Sequence, residues 1–244
     1  MIAPSLLAAS LLSLAGGALY LAVGASFARL ARGPSQAAFS LFWFGVGFFG
    51  VSDGVFSLAV PLFDPPLAFG LTILVLKSVL GCVGFAGLLY ALLYVYTGRR
   101  ATLPLVVAYA VVLLLVLASY FAAEPVGQEA QAWRSGLVYA RSDAPGGTIA
   151  AVLLFLPPLL GSLAYAALWR RASERGQRRR ILAVSAAFAA FFGGLLVGWT
   201  GLAGAWWPLA EKLLAVGAAL VVLAATRASP APPSRRRATP GGNL

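Results

Sequence analysis

Apolar residues run along this chain in blocks long enough to cross a bilayer, separated by short stretches where arginine, proline and glycine gather. Within the blocks neither a strict alternation nor a one-sided helical stripe appears, because the apolar character goes all the way round. That pattern belongs to helices whose solvent is lipid: about 20 mostly apolar residues span a hydrocarbon core of roughly 30 Å. The blocks predict seven helices, near residues 5–27, 37–62, 68–96, 102–123, 148–169, 181–202 and 206–226. The first resembles a signal peptide in position, yet no Lys or Arg precedes it and a second apolar block follows at once, so it reads as a retained helix. The expected fold is an all-α integral membrane protein, a seven-transmembrane helix bundle.

Arginine placement sets the expected orientation. One set of connections carries Arg29 and Arg32, Arg99 and Arg100, a run from Arg170 to Arg180, and then Arg227 with Arg235, Arg236 and Arg237. The alternate connections hold only Arg134 and Arg141, beside Asp64, Glu124, Glu129 and Asp143. Positive charges near helix ends resist translocation, so the arginine-rich side is cytoplasmic and an odd helix count puts the amino terminus outside. Residues 1–228 form the membrane domain. Residues 229–244, SPAPPSRRRATPGGNL, lack an apolar face and are expected to be a disordered basic cytoplasmic tail that rests on membrane lipid.

Composition then narrows the chemistry. The chain is 61% apolar and 10% charged, and its net charge of +11 sits in connections where topology signals belong, so no nucleic-acid partner is expected. It has no His, and its single Cys82 lies in an apolar block. Imidazole catalysis, a His-ligated metal and an internal disulfide are therefore excluded, and no cofactor or enzymatic activity is expected. GVGFFG at Gly45–Gly50 has dinucleotide-fingerprint spacing but lies inside a membrane helix with no strand before it. With Gly54, Gly81, Gly84 and Gly87 it is expected to allow close helix approach.

Ionisable residues inside the predicted spans are the main functional signal: Asp53, Lys77, and Glu211 with Lys212. Each unpaired charge at mid-membrane costs about 2.5–3.5 kcal/mol on the insertion scale, so pairing is expected. Asp53 and Lys77 lie at nearly equal distances on either side of the second-to-third turn, which puts them within roughly 3 Å of the same depth and predicts an ion pair. Of the last two, Glu211 is expected to face inward while Lys212 snorkels toward water. These residues, with Trp206, Trp207 and Trp199 at the rim, outline a polar ligand site in the outer half of the bundle. Two acids against two bases argue for a small apolar or weakly polar ligand. The same residues also fit a buried ion network that only fixes helix register.

Two further features bear on that site. The long connection from Glu124 to Gly147 alternates apolar and polar residues around Ser135 and Gly136, predicting a short β-hairpin from which Trp133 and Tyr139 could close over the bundle mouth. Pro157 and Pro158 interrupt the fifth block and free carbonyls near Leu153 and Leu154, predicting a kink.

Three segments carry a family resemblance: LLYVYTGRR at Leu92–Arg100, the long connection with Trp133, and RGQRRRILAV opening the sixth block. Together they resemble the seven-helix sensor region at the amino terminus of bacterial histidine kinases and diguanylate cyclases. The resemblance implies a receptor-like protein. With no kinase or cyclase domain in this sequence, the expected output passes through a separate signalling protein. A small-molecule or proton-coupled transporter is the alternative, since broken helices and midplane charges suit it. A retinal-binding protein is a weaker alternative, with Lys212 as the only equivalent of a retinal lysine and a third helix that carries Lys77 where a carboxylate would be needed.

Overall fold

The computed structural model describes residues 2–121, 125–131, 135–139, 145–200 and 207–227. These form helices α1 (Pro4–Leu30), α2 (Pro34–Phe63), α3 (Leu67–Phe121), α4 (Pro145–Arg171), α5 (Arg175–Thr200) and α6 (Trp207–Arg227), with one hairpin of strands β1 (Pro125–Ala130) and β2 (Ser135–Tyr139) between α3 and α4. Among the described residues six helical stretches are long and apolar enough to cross a membrane: Pro4–Leu30, Pro34–Phe63, Leu67–Tyr94, Arg100–Ala118, Val152–Arg171 and Trp207–Arg227. That number marks a multi-pass membrane protein. The remaining helix, α5, opens with RGQRRR. The predicted tail from Ser229 lies outside the described residues, as does the turn of the hairpin with Trp133.

The helix ends follow local chemistry. Pro4 and Pro34 occupy the first turn of α1 and α2, where a missing N–H leaves nothing unpaired. Asp64 closes α2 in the left-handed region, at φ 42° and ψ 57°, and Pro65 and Pro66 prevent the helix from continuing. α3 is one run of helical hydrogen bonding broken at Gly98, whose φ of 70° and ψ of 172° are open to glycine at little cost. The break divides α3 into two limbs that match the separate third and fourth blocks of the sequence. Thr102 caps it: its hydroxyl donates to Gly98 O at 2.7 Å and meets the Thr97 hydroxyl at 2.7 Å.

Each helix packs on its sequence neighbours, and α6 returns to α1, so the bundle closes as a ring. Small residues bring the first three helices unusually near. A Cβ on Gly17 would stand 2.5 Å from Val51 N, and one on Gly45 would stand 2.8 Å from Gly84 Cα, so α1, α2 and the first limb of α3 touch backbone to backbone. Gly81, grouped with these on sequence, faces open space.

Aromatic rings fill the center. Trp43 of α2 stacks between Tyr20 of α1, at 5.6 Å between centroids, and Phe188 of α5, at 5.7 Å, while Phe39, Phe42 and Tyr165 pack around them. The buried Trp43 indole N–H has no hydrogen-bond partner among the described residues. In α4, both prolines stand inside a continuous helix. Tyr109 of α3 donates its hydroxyl to Leu153 O at 2.9 Å, satisfying the carbonyl that Pro157 leaves without an amide partner.

Candidate functional site

The site is an ion cluster centered on Asp53, near the carboxyl end of α2. Asp53 lies on the face of α2 that packs on α1, between Gly50 and Gly54, where small residues let the neighbouring helix come close. Its two carboxylate oxygens receive different lysines. Lys77 Nζ, from α3, donates to Oδ1 at 2.7 Å, and Lys212 Nζ, from α6, donates to Oδ2 at 2.9 Å. Ser13 of α1 donates its hydroxyl to Oδ2 at 3.2 Å and accepts a hydrogen bond from Lys212. Four helices are thus tied at one level by a single carboxylate.

The pair expected from sequence, Asp53 with Lys77, is formed. The seventh predicted helix contributes Lys212 to the cluster, where Glu211 had been expected to face inward. Adjacent residues on a helix point about 100° apart, so only one of the two can meet Asp53. Glu211 lies toward α5, with its Cγ 3.5 Å from the place of a Cβ on Gly194. Trp207, at the start of α6, donates its indole N–H to Gly194 O at 3.3 Å. Trp133, Trp206 and the side chain of Trp199 lie outside the described residues.

Asp53, Lys77 and Lys212 together carry a formal charge of +1. The Lys77 ammonium also sits 4.4 Å from the centroid of the Phe49 ring, a cation–π contact that offsets part of its lost hydration. The three side chains retain 14% (Lys77), 23% (Asp53) and 17% (Lys212) of their surface, so the cluster is sheltered without being sealed. Two open surface grooves lie elsewhere and are almost wholly apolar, one along Leu41, Cys82 and Ala110, the other along Ala187, Leu214 and Val221. Each faces the helix exterior, where lipid chains fit.

Above the cluster sits the β-hairpin. Its strands are antiparallel, with Ala130 opposite Ser135 and Gln128 opposite Leu137. Ser135 N donates to the Ser57 hydroxyl at 3.4 Å, and the Ser135 hydroxyl donates to Ser57 O at 3.1 Å. The Gln128 amide donates to Pro65 O, and its Oε1 and the Leu137 side chain each lie 2.9 Å from where a Gly70 Cβ would be. Ser57 is one helical turn past Asp53, and Gly70 is two turns before Lys77, each on the same helix face as its charged partner. The hairpin is seated on the two helices that supply the first ion pair, about one to two turns from it.

Ser13, Ser57 and Gly70 escaped the sequence reading. Ser13 had a signal: with Ser10, Gly16 and Gly17 it forms a small-residue face on α1, of the kind that marks a helix contact. Ser57 and Gly70 gain meaning only from the docked hairpin. Among the described residues no group of His, Cys, Asp and Glu is arranged to hold a metal. Comparison with known proteins finds no family model that matches the chain and no match among curated proteins.

Proposed function

We propose that the chain is a receptor-like or accessory seven-helix protein of the cell membrane. In this reading α5 completes the set of spans, the amino terminus and the hairpin face outward, and the arginine-rich end and tail face the cytoplasm. A small ligand enters from the hairpin side, reaches the Asp53 cluster, and alters how α1, α2, α3 and α6 are held together. A separate protein at the cytoplasmic end carries the signal onward.

The observation that supports this reading best is the position of the hairpin. A purely register-fixing ion network needs only its helices, whereas here an extramembrane element is docked on Ser57 and Gly70, directly along the helix faces that lead to Asp53 and Lys77. A ligand at the cluster and the hairpin above it would sense each other through those faces.

Native mass spectrometry of the full chain released from mild detergent tests the reading. The expected result is a small-molecule adduct on the wild type that is lost when Gly70→Val unseats the hairpin. A bare wild-type protein, or an adduct indifferent to the hairpin, would overturn it. Solute flux into proteoliposomes would assign the chain to the transporter class instead.

A further inference from the structure

We infer that the lipid-facing groove between α2 and the two limbs of α3 holds one acyl chain of an anionic phospholipid, whose phosphate is bound by Arg32 and Arg100. This inference goes beyond the proposed function and does not depend on it. The groove is a product of the Gly98 break. Tyr90 and Val106 both stand eight residues from Gly98, Ala86 and Ala110 both twelve, and Cys82 and Leu114 both sixteen, and all six line it. The two limbs therefore run antiparallel, and the groove follows the valley between them, with Ala38 of α2 along its side. Small side chains at Ala86 and Ala110 leave room on the valley floor. The groove encloses about 420 Å³, a size that holds one small molecule.

Direction and length match a lipid chain. The groove runs along the helix axes, and from Val79 to Tyr90 it covers roughly 16 Å of rise, against about 15 Å for half of the hydrocarbon core. It lies in the half of α2 and of the first α3 limb that leads to the arginine-rich end. There Tyr90 meets Tyr94, one turn nearer the arginines, at 5.5 Å between ring centroids, and tyrosine favours the headgroup level. Beyond this pair come the cations. Arg32 stands six residues before Ala38 and Arg100 six before Val106, which sets both roughly 9–12 Å past the end of the groove. The Ser35 hydroxyl donates to Ala91 O at 3.2 Å, so the α1–α2 connection and the Gly98 break lie at the same end of the bundle. Both arginines are exposed, and among the described residues neither belongs to an ion pair. Glu174, the one described carboxylate at this end, is on the α4–α5 connection.

An acyl chain gains little by leaving lipid for an equally apolar groove. The groove therefore orients the molecule, and selection falls to the headgroup. Guanidinium forks pair with phosphate oxygens, and a lipid of net negative charge brings no ammonium to repel them. The second groove, on α5 and α6, starts at Ala210, within one turn of the opposite end of α6, and straddles the middle of that helix. It matches no single leaflet.

Native mass spectrometry of the full chain in mild detergent, titrated with phosphatidylglycerol or phosphatidylcholine of identical acyl chains, tests the inference. The first phosphatidylglycerol is expected to bind roughly tenfold more tightly than the first phosphatidylcholine, as two arginines near an anionic headgroup imply. Arg32→Gln combined with Arg100→Gln should bring the two lipids level. Arg170→Gln combined with Arg171→Gln, at the same end of the bundle, should leave their ratio unchanged. Ala110→Phe fills the groove and should weaken phosphatidylglycerol severalfold, with Ala86→Leu in its place if that variant fails to fold. Gly217→Leu, in the second groove, should have no effect. Equal binding of both lipids by the wild type overturns the inference. So does phosphatidylglycerol binding that ignores the groove-filling variants, or that falls as far with Arg170 and Arg171 as with Arg32 and Arg100. Gly70→Val acts at the hairpin end and should leave the lipid in place, so this result and the hairpin-dependent adduct of the proposed function hold or fail separately.

Discussion

At the scale of single residues, Asp53 is the group on which the most depends. Its carboxylate pairs with two ammonium groups, so its removal and the removal of one lysine are not equivalent. Asp53→Asn leaves two half-buried amines without this counter-charge and is expected to cost about 2–4 kcal/mol, somewhat below the range for breaking a fully buried pair from one side. Lys77→Met leaves Asp53 matched one to one with Lys212 and is expected to cost less. Thermal unfolding of the two variants would show it, and equal losses would contradict the shared-carboxylate geometry. The Asp53–Lys77 half of this arrangement was legible because both residues lie on one helical hairpin, where depth follows from counting along the chain. The Lys212 half was hidden. Choosing between Glu211 and Lys212 needs the rotation of α6, which packing against α1 and α5 decides and a uniformly apolar helix does not reveal.

At the scale of elements, the same contrast recurs. The end of α2 and the break in α3 follow from local backbone chemistry, at Pro65 and Pro66 and at Gly98, whereas Pro157 and Pro158 stand inside an unbroken α4. What repairs a lost backbone hydrogen bond was not legible. The carbonyl freed by Pro157 finds the Tyr109 hydroxyl, 44 residues away in sequence, a pairing that only the closed ring creates. Tyr109→Phe is expected to destabilise the bundle by about 1–2 kcal/mol, the cost of leaving a buried acceptor unpaired, while the ring still fills its place. A Tm unchanged from wild type would mean that water serves Leu153 equally well. The hairpin was predicted as an element, but its seat was not, because Gly70 looks like one more small residue on an apolar helix. Gly70→Val forces a branched side chain against Gln128 and Leu137. It should release the 125–139 segment to limited proteolysis at least tenfold faster, with Lys77 and Asp53 still paired. Equal protection would show that Ser57 alone holds the hairpin.

At the scale of the whole molecule, the ring of helices separates two ends of opposite character. One end gathers the exposed arginines of the α1–α2 and α4–α5 connections together with Arg100 and Arg227; the other carries the hairpin and the ion cluster beneath it. The short α1–α2, α2–α3, α4–α5 and α5–α6 connections make sequence neighbours antiparallel partners, while the longer α3–α4 connection carries the hairpin. Closure of α6 onto α1 is what brings Lys212 within reach of Asp53. If the positive-inside preference governs insertion, these ends are the cytoplasmic and outer ends respectively. Cys82 is buried in the bundle, so a Cys82→Ser background gives a chain free of native thiols in which single cysteines report exposure. In intact cells, Glu129→Cys on the hairpin should react with a membrane-impermeant maleimide and Glu174→Cys between α4 and α5 should not, and permeabilisation should expose the second. Both positions are exposed in the folded chain, so silence at either reports the membrane barrier and not burial. Labeling of Glu174→Cys from outside would invert the protein. The ion cluster would then lie toward the cytoplasmic end and the hairpin would be a cytoplasmic element.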